Sequence, residues 1–220
     1  MSRSKRPATN ANRWIPRVYS RRSEWIGHEA AGCGTVGFLS VRTVILDPPS
    51  AGLDELVQRR ARSGLDRLDE IWEGELHMVP APSHAHGDLE SQLHALLRPL
   101  ARQAGLTMTG QVNLGDSEHD FRVPDGALHR PGAGGTWHPT AALVIEIVSP
   151  GDESWEKLPF YAAHHVDEIL IVDPHKQTVN WLALEHDQYQ PIQHSRLIDL
   201  GPGELAERID WPAVEPQQER

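Results

Sequence analysis

An α/β fold, with a mixed sheet flanked by helices, is predicted by three features of this sequence. Residues 141–173 read as a strand (143–148), a loop, a helix (154–165) and a second strand (168–173). Both strands are near-continuous apolar runs, the pattern of strands covered on two faces. Leu89, Leu93, Leu96, Leu97 and Leu100 recur at the spacing of one helical face. Strand-like segments bounded by Gly, Pro and Asp lie before and after the central unit, so that other strands border it.

In chain order, residues 1–40 carry scattered Arg, Pro, Ser and Gly without a sustained period and read as a disordered basic arm. One folded domain is placed at residues 41–213 and a polar tail at 214–220. Leu53, Leu56, Val57 and Ala61 give a short amphipathic helix with Ser50 as a candidate cap. Residues 71–79 predict a hairpin turning at Glu73-Gly74. A loop (80–83) leads to a helix over 86–103, with Pro99 removing one backbone bond or kinking it and Gly105 just past its end. Residues 107–114 and 121–128 predict one hairpin joined by a polar turn at 115–119. Beyond a Gly-rich loop (130–139) and the central unit, a turn leads to an antiparallel strand (178–184) that packs Trp181 on the sheet. A last strand is placed in 189–198 and a short helix at 205–209.

Composition narrows the function classes. The chain of 220 residues is 39% hydrophobic and 24% charged, the balance of a water-borne globular protein, and no run approaches the ~20 apolar residues of a membrane span. The single cysteine, Cys33, rules out an intrachain disulfide, and a cytoplasmic setting is expected. The formal net charge of -10 argues against non-specific adhesion to nucleic acid. Residues 1–30 run the other way, with seven Lys or Arg against two Glu.

Within this frame one residue stands out. Glu146 lies at the centre of an apolar strand, and a lone buried carboxylate costs several kcal/mol unless it is paired, protonated or bound to a cation. Asp125 follows Pro124 where the chain re-enters an apolar stretch, and strand-borne acids converge if their strands are neighbours. Such a pair, completed by water and a substrate phosphate, is how magnesium is usually held. An Asp in a Pro-Asp-Gly sequence is also an ordinary turn residue. Lys157 stands near the start of the following helix, close enough to lean over the strand ends. Two acids and a lysine form a phosphodiester-cleaving set; the plain alternative for Lys157 is a surface lysine paired with Glu153 or Glu156. His84 and His86 invite a zinc reading, which the lack of further ligands at suitable spacing disfavours.

The order of PD, an acid in an apolar strand and then a lysine resembles the PD-(D/E)XK nuclease superfamily. More narrowly, EIWEGELHMVPAPSHAH, LESQLHALLRPLARQAG, FRVPDGAL, LVIEIVSPGD, EKLPFYAAHHVDEILIVDP and ELAERIDWP together resemble the Uma-type restriction endonucleases, over residues 53–212. The resemblance implies a restriction-endonuclease-like core and a magnesium- or manganese-dependent endonuclease. It implies Asp125 and Glu146 as metal ligands, with the Ile147 carbonyl a further one, and Lys157 as the catalytic lysine. Val148 departs from the superfamily pattern, which has lysine two residues after the second acid, so the role passes to the next helix. The partner implied is nucleic acid, DNA first, with no membrane and with room for a homodimer. Glu70 and His86 match accessory positions of the family motif. Glu70 is equally readable as a solvent-facing acid at a strand entrance, and His86 as a cap or packing residue. The rival from another class is a catalytically inactive binding or assembly module that retains the core.

Overall fold

The computed structural model describes residues 51–213 apart from 150 and 152, with side chains from residue 55 onward. The expected basic arm at 1–40, the Ser50 cap and the tail at 214–220 lie outside the described residues.

The chain opens with helix α1 (Ala51–Ser63) and a tight hairpin of β1 (Glu70–Trp72) and β2 (Glu75–His77). The predicted turn is there: Glu73 and Gly74 have φ of 49° and 90°, the double left-handed pair that matches strand twist in a two-residue hairpin. Helix α2 (His84–Gln103) starts two residues before the predicted boundary, because Ser83 caps it by accepting the His86 backbone N–H at 3.2 Å. It runs through Pro99 as one helix and buries Leu89, Leu93, Leu97 and Ala101.

The hairpin predicted for residues 107–128 is instead two pairs in two sheets. Strands β3 (Thr107–Thr109) and β6 (Gly126–His129) pair with each other, while β4 (Asn113–Ser117) and β5 (Asp120–Arg122) form a separate hairpin between them. The chain leaves one sheet at Gly110 to Val112 and returns at Val123 to Asp125, where Pro124 has no N–H to give to a ladder. Gly115, expected in the turn, is inside β4. Its φ is 150°, and a Cβ there would lie 2.5 Å from the Asp120 carbonyl oxygen and 2.9 Å from Phe121 Cβ. Gly115→Ala is therefore expected to lower stability by roughly 1–3 kcal/mol, read by urea denaturation; an unchanged midpoint would show that this hairpin tolerates a side chain.

The remaining elements are β7 (Trp137–His138), β8 (Leu143–Ile147), α3 (Leu158–Ala163), β9 (Glu168–Asp173), β10 (Thr178–Glu185), β11 (Gln188–Pro191) and α4 (Pro202–Arg208). Helix α3 is shorter than expected: residues 154–157 form a turn, and the helix proper starts beside Pro159, a residue favoured in a first turn. The last strand ends at Pro191.

Two sheets result, one six-stranded in the order β11-β10-β9-β8-β6-β3 and one five-stranded in the order β2-β1-β5-β4-β7. In the larger, β8 and β9 are parallel and joined through α3, and the other pairings are antiparallel. All residues of β8 and β9 are buried, as their apolar runs required. The pleat divides them: Leu143, Ile145, Ile147, Leu170 and Val172 pack with α2 and α4, and Val144, Ile169 and Ile171 pack with Tyr161 of α3. Trp181 is buried on the α2 side, its indole N–H donating to Glu168 at 2.8 Å.

Candidate active site

Glu146 is the fourth residue of β8, so alternation puts it on the Val144 side, facing α3 rather than α2. It is 2% exposed. Lys157, the cap residue of α3, and Tyr161, one turn further, reach it together. The Lys157 amine lies 3.2 Å from each Glu146 carboxylate oxygen, and the Tyr161 hydroxyl donates to Oε1 of the same carboxylate. The amine is also 2.9 Å from Glu70 Oε1. Lys157 is thus a nearly buried residue at 12% side-chain exposure, not a surface lysine paired with Glu153 or Glu156.

Glu70 comes from the other sheet, at the first position of β1, and is 2% exposed. The solvent-facing alternative for it is overturned. Its Oε1 accepts the Val123 N–H at 2.8 Å and its Oε2 accepts the Trp72 indole N–H at 2.6 Å. Glu70 therefore ties the five-stranded sheet to the segment that delivers Asp125.

Asp125 sits between β5 and β6. The register of β6 on β8 pairs Gly126 with Ile145, and one further step sets Asp125 opposite Glu146. Its Oδ2 accepts the Ile147 N–H at 2.7 Å, and its Oδ1 lies 3.0 Å from His86 Nε2. The other ring nitrogen of His86 is 3.1 Å from the Ser149 hydroxyl. His86 thus stands in the first turn of α2, as packing and capping would have it, and also against a site acid. Asp125, Glu146, Ile147, Lys157, Glu70 and His86 all line one cavity of about 300 Å³.

Charge in this cavity is out of balance. Four carboxyl side chains, of Glu70, Asp125, Glu146 and Glu153, line it with one ammonium, and the groups respond to it. Burial, with the neighbouring Asp125 and Glu70 charges, pushes the Glu146 carboxyl up to about 8 against the pull of Lys157. For Lys157 burial works to lower the ammonium, and the charges of Glu146 and Glu70 outweigh it and hold it above its usual range. Burial, then Glu146, raises Tyr161 well above the ordinary phenol, so its hydroxyl keeps the proton it donates.

The sign of the linkage follows from the Glu146 shift. A carboxyl at about 8 when folded and near 4.5 when unfolded binds its proton more tightly in the fold. Its stabilising contribution is full below pH 4.5 and is lost as pH rises through about 8. Metal-free protein should lose stability across that window with a slope approaching ~1.4 kcal/mol per pH unit, and saturating magnesium should flatten it by favouring the ionised form. Denaturation at several pH values with chelator or with magnesium checks this. His129, whose pKa burial and His138 lower, works in the opposite direction towards acid, so Glu146→Gln isolates the effect.

A hard divalent cation fits this donor set. The acids supply oxygen ligands, their negative charge exceeds that of Lys157, and burial beside other acids favours the neutral form of Glu146, which a bound cation would offset. Among the described residues no three His, Cys, Asp or Glu side chains are grouped to hold an ion unaided. Two carboxylates with a backbone carbonyl would leave the remaining positions to water and phosphate oxygens, as suits magnesium.

Three contributors were not read from the sequence. The sequence assigns Tyr161 no role at the site; its i, i+4 relation to Lys157 is the available signal. Ser149 and the His77–Glu153 pair, 2.9 Å apart, also line the cavity. Their partners are 63 and 76 residues away in sequence, and no local pattern marks them.

Comparison with known proteins agrees with this architecture. A crystal structure of a putative nuclease belonging to DUF820 from Anabaena variabilis is similar with a TM-score of 0.52 at 16% identity, covering 64% of this chain and 90% of that one. The DrdV-DNA complex, solved by cryoEM, is matched at 16% identity with a TM-score of 0.32, over 56% of this chain and 12% of that one. No curated protein matches. Among the described residues no helix is long and apolar enough to cross a membrane. The Uma2 family, described as "Putative restriction endonuclease", matches residues 55–209. With its restriction-endonuclease-like α/β core and most of its length matched, the chain belongs to the Uma2 family of putative restriction endonucleases.

Proposed function

We propose that this protein is a magnesium- or manganese-dependent endonuclease of the cytoplasm that hydrolyses phosphodiester bonds in nucleic acid, DNA in the first place. The observation that carries the reading is Lys157: its amine is within 3.2 Å of Glu146 and 2.9 Å of Glu70, beside Asp125, in one cavity. An inactive binding or assembly module has no use for buried acids gathered at one cavity, nor for a lysine to balance them. Asp125 and Glu146 would hold the metal, with the Ile147 carbonyl beside them. The ion, when bound, supplies Lewis-acid polarisation of the phosphate and a lower pKa for a bound water.

The chain's own residues do the rest. Asp125 is held in place through both oxygens, by the Ile147 N–H and by His86, so the ligand is oriented before substrate arrives. Tyr161 fixes the Glu146 carboxylate from behind. Glu70 holds the Lys157 amine close to Glu146, where a cation can orient the attacking water and stabilise charge developing on the phosphate. The test is cleavage of labelled oligonucleotides with magnesium or manganese, stopped by chelator and restored by the metal. Absence of metal-dependent cleavage on DNA and RNA alike, while calorimetry shows the ion bound, would favour the module.

A further inference from the structure

We propose that the substrate of this site is an unpaired strand, whose base next to the scissile phosphate lies against the apolar wall of the same cavity. The inference rests on the nuclease reading and names its substrate class. Three observations carry it.

The acids are recessed. Glu146 is 3% and Asp125 16% exposed at the side chain, so a phosphate reaches them only by entering the cavity. At about 300 Å³ the space has the scale of a small-ligand pocket. A duplex, with a major groove alone about 12 Å wide, does not enter it, whereas one nucleotide of a strand drawn out of its stack does.

Part of the cavity lining is apolar. Leu68, Met78, Val79, Pro80, Ala81 and Pro82 form it. A half-exposed tryptophan, Trp155, sits in the turn between Glu153 and Lys157, which both line the cavity. Such surfaces take up the face of an unstacked base, which a base stacked within a duplex does not offer.

The charge does not suit tracking along a duplex. Residues 51–213 carry 26 Asp or Glu against 12 Lys or Arg. Among the described residues Lys157 is the one Lys or Arg lining the cavity, and it is engaged by Glu70 and Glu146. Duplex binders draw most of their affinity from many Lys and Arg contacts to phosphates; with few available here, apolar contact with bases has to carry more of the recognition.

The experiment compares magnesium-dependent cleavage by the full chain of one sequence as single strand and as blunt duplex, with Ala81→Glu and Trp155→Ala alongside wild type. Both positions are exposed, and Ala81 lies in a loop, so folding and magnesium affinity, followed by melting and calorimetry, serve as controls. Single strand should be cut at least about tenfold faster than duplex, and Ala81→Glu should slow single-strand cleavage by about tenfold with metal affinity intact. Duplex cut as fast as single strand, or single-strand cleavage untouched by Ala81→Glu, overturns the inference. Cleavage confined to duplex and lost in Glu146→Gln would overturn it and leave the nuclease reading standing. No cleavage of either substrate with magnesium or manganese would remove both.

Discussion

Glu146→Gln is expected to abolish metal-dependent cleavage, by on the order of a thousandfold or more, the upper end of what one lost charge-stabilising group costs, and to weaken magnesium binding sharply in calorimetry. The fold should survive. In the metal-free protein the Glu146 carboxyl, pushed up to about 8, is largely protonated at neutral pH, and glutamine reproduces that neutral form in shape and in its ability to accept from Tyr161. Melting at pH 6 should therefore be close to wild type. At pH 9 without metal the variant should be the more stable protein, since it carries no buried charge to be ionised. A variant that binds magnesium as wild type does would remove Glu146 from the metal site; one that unfolds at pH 6 would show that its ionised form holds the sheet together.

Lys157→Met should lose both activity and stability. From the sequence, a lysine near a helix start opposes the helix dipole and its loss is expected to leave melting nearly unchanged. The structure reverses that expectation. The amine lies between Glu70 and Glu146, both nearly fully buried, and its removal leaves the Glu70 carboxylate without the cation 2.9 Å away. Breaking a buried pair by deleting one partner typically costs roughly 3–5 kcal/mol. Cleavage should fall by about a hundredfold or more at conditions where the variant is folded. The two effects separate in the double variant Lys157→Met/Glu70→Gln, which removes the stranded charge. It should recover much of the stability and none of the activity, a coupling read from the double-mutant cycle. If the single variant melts as wild type does, Glu70 is balanced by some other group.

Much of this was legible because burial leaves a mark on composition. The runs at 143–148 and 168–173 are apolar because both faces of β8 and β9 are covered, and their parallel pairing follows from the helix between them. Glu146 was conspicuous for the same reason, as the one acid in the first of these runs and at its centre. The Glu73-Gly74 turn was legible from the residues that accept left-handed backbone. The start of α3 was not, since residues 154–157 have helix-compatible side chains and only Pro159 hints at a later beginning. The split of residues 107–128 between two sheets was also hidden. Pro124 announces a break in a strand but not where the chain goes afterwards.

By itself the sequence determined the order of the elements, the buried strand pair, the family resemblance and the candidacy of Asp125, Glu146 and Lys157, all of them matters of local pattern. Only the tertiary structure decided how these groups meet. Glu70 reaches Lys157 from a different sheet and accepts from Val123, 53 residues away, while His86 reaches Asp125 across 39. Periodicity tells which face of an element is buried, because the energy of burial depends on polarity alone. The partner a buried polar group finds depends on the directions of individual hydrogen bonds between distant strands, and that is set when the two sheets pack.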